Sequence, residues 1–346
     1  MRFQLRKIAI QWSVAGALLL SPLQIAAVFA PQASAKPSSQ PSASQVSAPP
    51  AANSDSSQED LNSLSIADSK LKADKPVLGE KDEAPRFTRE LLQVQWRRGD
   101  AIDLYVIKPK GVEKPAAILY LYSYPTETDR FKDDAYCERV TSGGFAAIGF
   151  VSALTGHRYH SRPMKEWFVS QLQESLVTSV HDVQMVLNYL AARGDVDMNR
   201  IGMFGAGSGG SIAILAAATD SRIKAIDLLD PWADWPDWMA GSSLIPENER
   251  PSYLKPEFLK KIALFDPVQW LPKLTSERMR IMNVMDDNVT PKICRQRLES
   301  AAGPSVQVVH YDDTRALFGA STGGRIFQWI KQQLPASTPK ANGEKL

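Results

Sequence analysis

The stretch RIGMFGAGSGGSIAILAAA, Arg200 to Ala218, constrains the fold of this chain more than any other. A β-branched and apolar run, Ile201 to Phe204, enters a turn with glycine at 205, 207, 209 and 210. An Ala/Ile/Leu segment of helical character leaves it. A strand that reverses into a helix over so few residues needs backbone conformations and close approaches that glycine supplies best. The turn therefore predicts a strand, a sharp bend and a helix in immediate succession.

The rest of the chain repeats that alternation. Strands are expected at Leu91–Trp96, Ile102–Lys108, Ala116–Tyr122, Phe145–Val151, Ile201–Phe204, Lys224–Leu229, Arg280–Met285 and Val306–Tyr311. The first two alternate in polarity and flank RRGD, which reads as an antiparallel hairpin. The later ones are short apolar runs, the pattern of buried parallel strands. Between them VTSVHDVQMVLNYLAAR, Val177–Arg193, places Val180, Val183, Val186, Leu187 and Leu190 on one helical face. Further helices are expected after Pro291 and Thr322. The whole reads as an α/β fold, a mostly parallel central sheet with right-handed crossovers and helices on both faces. Residues 231–274 lack a strand and carry Trp232, Trp235 and Trp238. They follow the end of a strand, where open α/β sheets place ligands. They read either as a cap over a site or as a long loop anchored by its tryptophans.

Only part of the 346 residues is expected in this domain. Arg2, Arg6 and Lys7 precede an apolar run from Ile8 to about Phe29, and Ala33-Ser34-Ala35 follows. Basic, apolar and A-x-A regions in that order read as a secretory signal over 1–35, hence an exported protein, periplasmic or secreted. An uncleaved membrane anchor is the alternative. Residues 36–85, rich in Ser, Pro and Ala, read as a disordered spacer because they offer little apolar surface to bury. Residues 86–336 are the expected domain, and 337–346 a flexible tail. A net charge of +2 points to neither nucleic acid nor an acidic surface partner.

HDVQMVLNYLAARGDVDMNRIGMFGAGSGG and DPVQWLPKL…RIMNVMDDNVTP together resemble the α/β-hydrolase fold. The branch is that of dienelactone hydrolases, acetyl xylan esterases and prolyl-oligopeptidase-like enzymes. The resemblance spans about Gln93 to Leu334. It implies a serine nucleophile on the glycine turn, then an acid, then a histidine, with backbone N–H groups holding the oxyanion. Asp287 stands at the acid position. The serine position falls on Gly207, and the histidine position, read from YDDTRALF, falls on Ala316. Two of three positions thus lack their chemistry, which points to a non-catalytic or strongly impaired hydrolase relative, a binding or scaffold module for an unknown small molecule or an acyl or ester-type ligand. Restoring Gly207→Ser with Ala316→His is the expected route back to activity. The resemblance also implies that Cys137 and Cys294 lie on opposite sheet faces, unpaired and buried.

A second reading keeps the chemistry. In AGSGG, Ser208 fits an A-x-S-x-G turn, and His157 or His160 in GHRYHSR follows a strand end and could serve as base. In the bland reading Ser208 is merely the first residue of the next helix, capping its amides. His181 lies within a helix and His310 within the last strand. Asp230 ends a strand and is either an alternative acid or a turn cap. The rim of the pocket is expected from Tyr122, Ser123 and Tyr124, with Asp230, Trp232 and Trp235. No metal and no cofactor is expected. His157 and His160 lack companion ligands. GAGSGG lacks the Lys-Ser/Thr ending of a P-loop and comes too late for a dinucleotide fingerprint.

Overall fold

The structure, a computed structural model, describes residues 59–67, 69–97, 99–123, 128–154, 171–274 and 278–334. Nine strands form one sheet in the order β1-β2-β3-β5-β4-β6-β7-β8-β9. They are β1 (Val77–Glu83), β2 (Phe87–Arg97), β3 (Asp100–Pro109), β4 (Ala116–Leu121) and β5 (Phe145–Phe150), then β6 (Asp197–Ala206), β7 (Ile223–Leu229), β8 (Met279–Val284) and β9 (Gln307–Tyr311). Pairing is antiparallel from β1 to β5 and parallel from β5 to β9. All eight expected strands are present. RRGD closes the β2–β3 hairpin with Arg97 opposite Asp100 and Gly99 at φ +75°.

Every residue of β4 and β8 is buried, as a strand covered on both faces requires. The helices include α1 (Asp134–Thr141), α2 (Leu172–Arg193) and α3 (Ser208–Thr219) early in the chain, and α4 (Trp235–Gly241) and α5 (Pro256–Ala263) in the insertion. After it come α6 (Lys292–Ala301), α7 (Thr314–Ser321) and α8 (Gln328–Gln333). Helix α2 begins earlier than the periodicity predicts and ends at Gly194, whose left-handed conformation turns the chain out of the helix. Among the described residues no helix is long and apolar enough to cross a membrane.

One expectation needs correction. The spacer expected to Pro85 gives way to structure at Glu59: Leu64 is buried, and β1 pairs with β2 along its length. β1 escapes a pattern search because nearly all its side chains are exposed, so no alternation marks it. Main-chain pairing at the sheet edge holds it, not burial. The tryptophans of the insertion pack against one another, and Trp232 also borders the glycine turn. Trp232, Trp235 and Trp238 are all buried, with ring centroids 4.8 Å apart for Trp232–Trp238 and 5.9 Å for Trp235–Trp238. The Asp266 carboxylate beneath them accepts from the amides of Asp234, Trp235 and Val268. The tryptophans anchor the loop to the body.

Cys137 and Cys294 are buried and unpaired. The Cys137 Sγ–H donates to the Phe131 carbonyl at 3.2 Å, whereas Cys294 lies against the Asp234 carbonyl. Burial pushes both thiols up, to about 11 and about 12, so neither is a nucleophile at neutral pH.

Candidate functional site

Strands β4, β6, β7 and β8 run parallel, so their C-terminal ends share one edge of the sheet, where such folds bind ligands. The glycine turn sits at the end of β6. Gly207 has φ +54° and ψ −119°, the strained bend of a nucleophile elbow. Its N–H donates to the Leu229 carbonyl at 2.9 Å, and its carbonyl accepts from Trp232 N at 3.2 Å. The other glycines of the turn are required by contact. A Cβ on Gly209 would lie 2.2 Å from the Leu121 carbonyl, one on Gly205 would lie 2.5 Å from the Gly209 carbonyl, and one on Gly210 would lie 2.7 Å from Pro231 Cβ. The turn keeps the shape of a hydrolase elbow.

The space a nucleophile would occupy is filled. A Cβ on Gly207 would lie 2.5 Å from Ser123 Oγ, 2.8 Å from Ser123 Cβ and 3.1 Å from Trp232 Nε1. Ser123, expected at the rim, stands instead where the elbow's own side chain would go. Ser208 is fully buried as the first residue of α3. That position answers to the bland reading, a residue inside the helix N-terminus, and not to a hydroxyl facing a substrate.

Asp287 is half-buried, and both its oxygens serve its own turn: Val289 N donates to Oδ1 at 3.1 Å and Thr290 N to Oδ2 at 2.9 Å. The buried Arg295 guanidinium secures the same turn, donating to the carbonyls of Met285, Asp287 and Thr290. No sequence pattern marks Arg295, whose hydrogen-bond acceptors here are backbone carbonyls. Ala316 lies exposed in the first turn of α7, where its N–H donates to the Asp313 side chain at 2.7 Å. The family's histidine position is here part of a capped helix. His310 is paired with Glu299 at 2.8 Å on the sheet's outer strand, and His181 is buried against residues 59 and 63. His157, His160 and Tyr124 lie outside the described residues.

Several expected rim residues prove to be core. Tyr122 is buried, its hydroxyl 2.6 Å from that of Tyr136 and its ring covered by the Arg130 guanidinium at 3.6 Å. Trp235 donates its indole N–H to the Phe265 carbonyl. Trp232 is buried and meets the glycine turn through its backbone N–H and its indole edge. Ser123 and Asp230 remain partly exposed at the edge. Among the described residues no group of three His, Cys, Asp or Glu side chains could hold a metal ion.

Asp230 is the titrating group of this edge. It sits at φ +43°, uncommon for a residue with a side chain, and accepts from Val284 N at 2.8 Å. Burial, with Asp287 and Asp286 nearby, pushes its carboxyl up to about 7 against the pull of the Val284 amide and Arg295. The folded state thus holds this proton more tightly than the unfolded chain between about pH 4 and 7. Stability falls as pH rises through that window. Asp230→Asn, which keeps the acceptor for Val284, is expected to raise the thermal midpoint by several degrees at pH 8, roughly 2 kcal/mol, and hardly at all at pH 4. Thermal melts at the two pH values check this; an equal effect at both contradicts it.

Residues 149–313 match the prolyl oligopeptidase family. That stretch runs from β5 to Asp313, just short of Ala316. YtaP of Bacillus subtilis (strain 168), whose name assigns it to the hydrolases, is 30% identical over 135 residues, 35% of this chain. The match spans 45% of that protein, less than half its length. Acetyl xylan esterase 1 from Thermoanaerobacterium sp. JW/SL YS485 superposes with a TM-score of 0.58 at 15% identity, over 76% of this chain and 88% of that one. The acetyl xylan esterase from Paenibacillus sp. R4 gives 0.54 at 16% identity, over 79% and 90%. At such identities the likeness lies in the fold.

Proposed function

We propose that this chain, an α/β-hydrolase-fold protein of the esterase and prolyl-oligopeptidase-like branch, is an exported binding or scaffold protein that has lost serine-hydrolase turnover. One observation carries the reading: Ser123 fills the place of the elbow's side chain, so Gly207 is packed around and not merely substituted. The exposed, helical Ala316 agrees with it, since a hydroxyl without a base stays neutral and attacks esters too slowly to matter. Where an intact triad loses its nucleophile, turnover drops on the order of a million-fold.

The ligand proposed is a small acyl or ester-type molecule, the chemistry acted on by the acetyl xylan esterases whose fold this chain shares. It would rest against Ser123, the Gly207 turn and the Asp230 carboxyl. Function resides in these groups and not in the fold. The N-terminal signal-like segment motivates the proposed export. The alternative Ser208 nucleophile is disfavoured by its complete burial. A fluorophosphonate, which reacts with any activated serine whatever the natural substrate, tests the reading by intact mass.

A further inference from the structure

The chain's entry into the body is a cluster of buried charge that the proposed site does not use. Residues 59–66 lie along α2 and are tied to it at both ends. Ile66 N donates to Gln184 Oε1 at 3.0 Å, and Gln184 Nε2 donates to the Leu64 carbonyl at 2.7 Å. At the other end the Glu59 carboxylate is gripped twice. Arg97 donates to it through Nε and through Nη2, the latter at 2.6 Å, and His181 Nδ1 lies 2.5 Å from its Oε1.

His181 is 1% exposed, and its Nε2 lies 2.8 Å from the Ser63 carbonyl. Both ring nitrogens thus face oxygens, one of the Glu59 carboxylate and one the Ser63 carbonyl. Arg97 also binds Asp182 of α2, which accepts from Trp96 Nε1 at 3.0 Å, and Asp100 of β3 lies 3.5 Å from Arg97. Arg97, His181 and three carboxylates thus meet where residues 59–66 lie along α2. Two residues before His181 on the same helix, Ser179 Oγ accepts from Ala153 N at 3.1 Å. Ala153 follows β5, whose end lies on the sheet edge that carries the glycine turn.

We propose that residues 59–66 form a latch on α2, held by Glu59 through His181 and Arg97, and that neutralising Glu59 releases it and loosens the β5 exit beside the site. Removing one partner of a buried charge cluster is costly because the others are left uncompensated, so the segment that supplies Glu59 is the part that gives way. Burial pushes the Glu59 carboxyl up, but hydrogen bonds and charge from Arg97 and His181 outweigh it and hold it below its ordinary value of 4.5. Its contribution is complete above about pH 4.5 and is lost as pH falls through the lowered value.

Hydrogen–deuterium exchange on the whole chain at neutral pH tests this with Glu59→Gln, which mimics the protonated carboxyl, and Glu59→Ala, which removes it. Amides of residues 63–66 should exchange at least ten-fold faster in Glu59→Ala and several-fold faster in Glu59→Gln. Ala153 should follow, and β4 and β6 should stay at wild-type rates. Unchanged exchange at 63–66 in both variants overturns the latch, as does acceleration only together with the whole sheet. A wild-type series from pH 6 to pH 3.5, corrected for intrinsic rates, supplies the same decision if a variant fails to fold. Release of 63–66 without Ala153 overturns the link to the site.

Discussion

Gly207→Ser is expected to destabilise the fold by about 2–6 kcal/mol and to bring no hydrolysis with it. Two costs add. A side chain at φ +54° strains the backbone by roughly 1–3 kcal/mol. Its Cβ also overlaps Ser123, whose own Cβ is only 2.8 Å away, so rotating the hydroxyl does not clear it. Overpacking of this kind costs about 1–3 kcal/mol. Ser123→Gly removes both offending atoms and should return the overpacking part, leaving the backbone part. A double-mutant cycle by denaturant unfolding is therefore expected to show a favourable coupling of about 1–3 kcal/mol. Simple additivity would mean that Ser123 does not fill the nucleophile's place. The two-residue restoration that the sequence suggests is thus incomplete. Measurable ester turnover should require Gly207→Ser, Ala316→His and Ser123→Gly together.

The second large effect lies beneath the site, between the strands that carry its carboxylates. Asp227 of β7 and Arg280 of β8 are register partners joined by two parallel hydrogen bonds of 2.8 Å. The Asp227 side chain is wholly buried, and burial pushes its carboxyl up to about 6 even with Arg280 beside it. Arg280→Met should cost about 3–5 kcal/mol, because it strands a buried carboxylate. Without the guanidinium, burial favours the protonated form still more, so the loss should be smaller at pH 5 than at pH 8. Asp227→Asn in the same background should recover part of it at pH 8. A loss independent of pH would show that packing, and not the stranded charge, sets the cost.

The contrast between what the sequence discloses and what it conceals follows the kind of interaction involved. Buried strands and the long helix were legible because apolar periodicity is local, and the elbow because its glycines must pack against Leu121, Gly209 and Pro231. The absence of serine at 207 and of histidine at 316 was legible by position. What stayed hidden depends on residues far apart in sequence. Nothing local marks Ser123 as the occupant of Gly207's space, or Arg295 as the clamp on the acid turn. Tyr122, Trp232 and Trp235 looked like rim residues because large aromatics beside a site are common, yet all three are buried. Glu59 could not be distinguished within a polar spacer, because its partners Arg97 and His181 arrive from elsewhere.

The central claim is that no serine of this chain is activated. Its most direct test is the intact mass of the protein after incubation with a fluorophosphonate at neutral pH, beside an active serine esterase. The account predicts an unmodified mass while the control is labelled to completion. A stoichiometric adduct that maps to Ser123 or Ser208, and disappears when that residue is changed to alanine, would contradict it and make His157 and His160 the bases to examine.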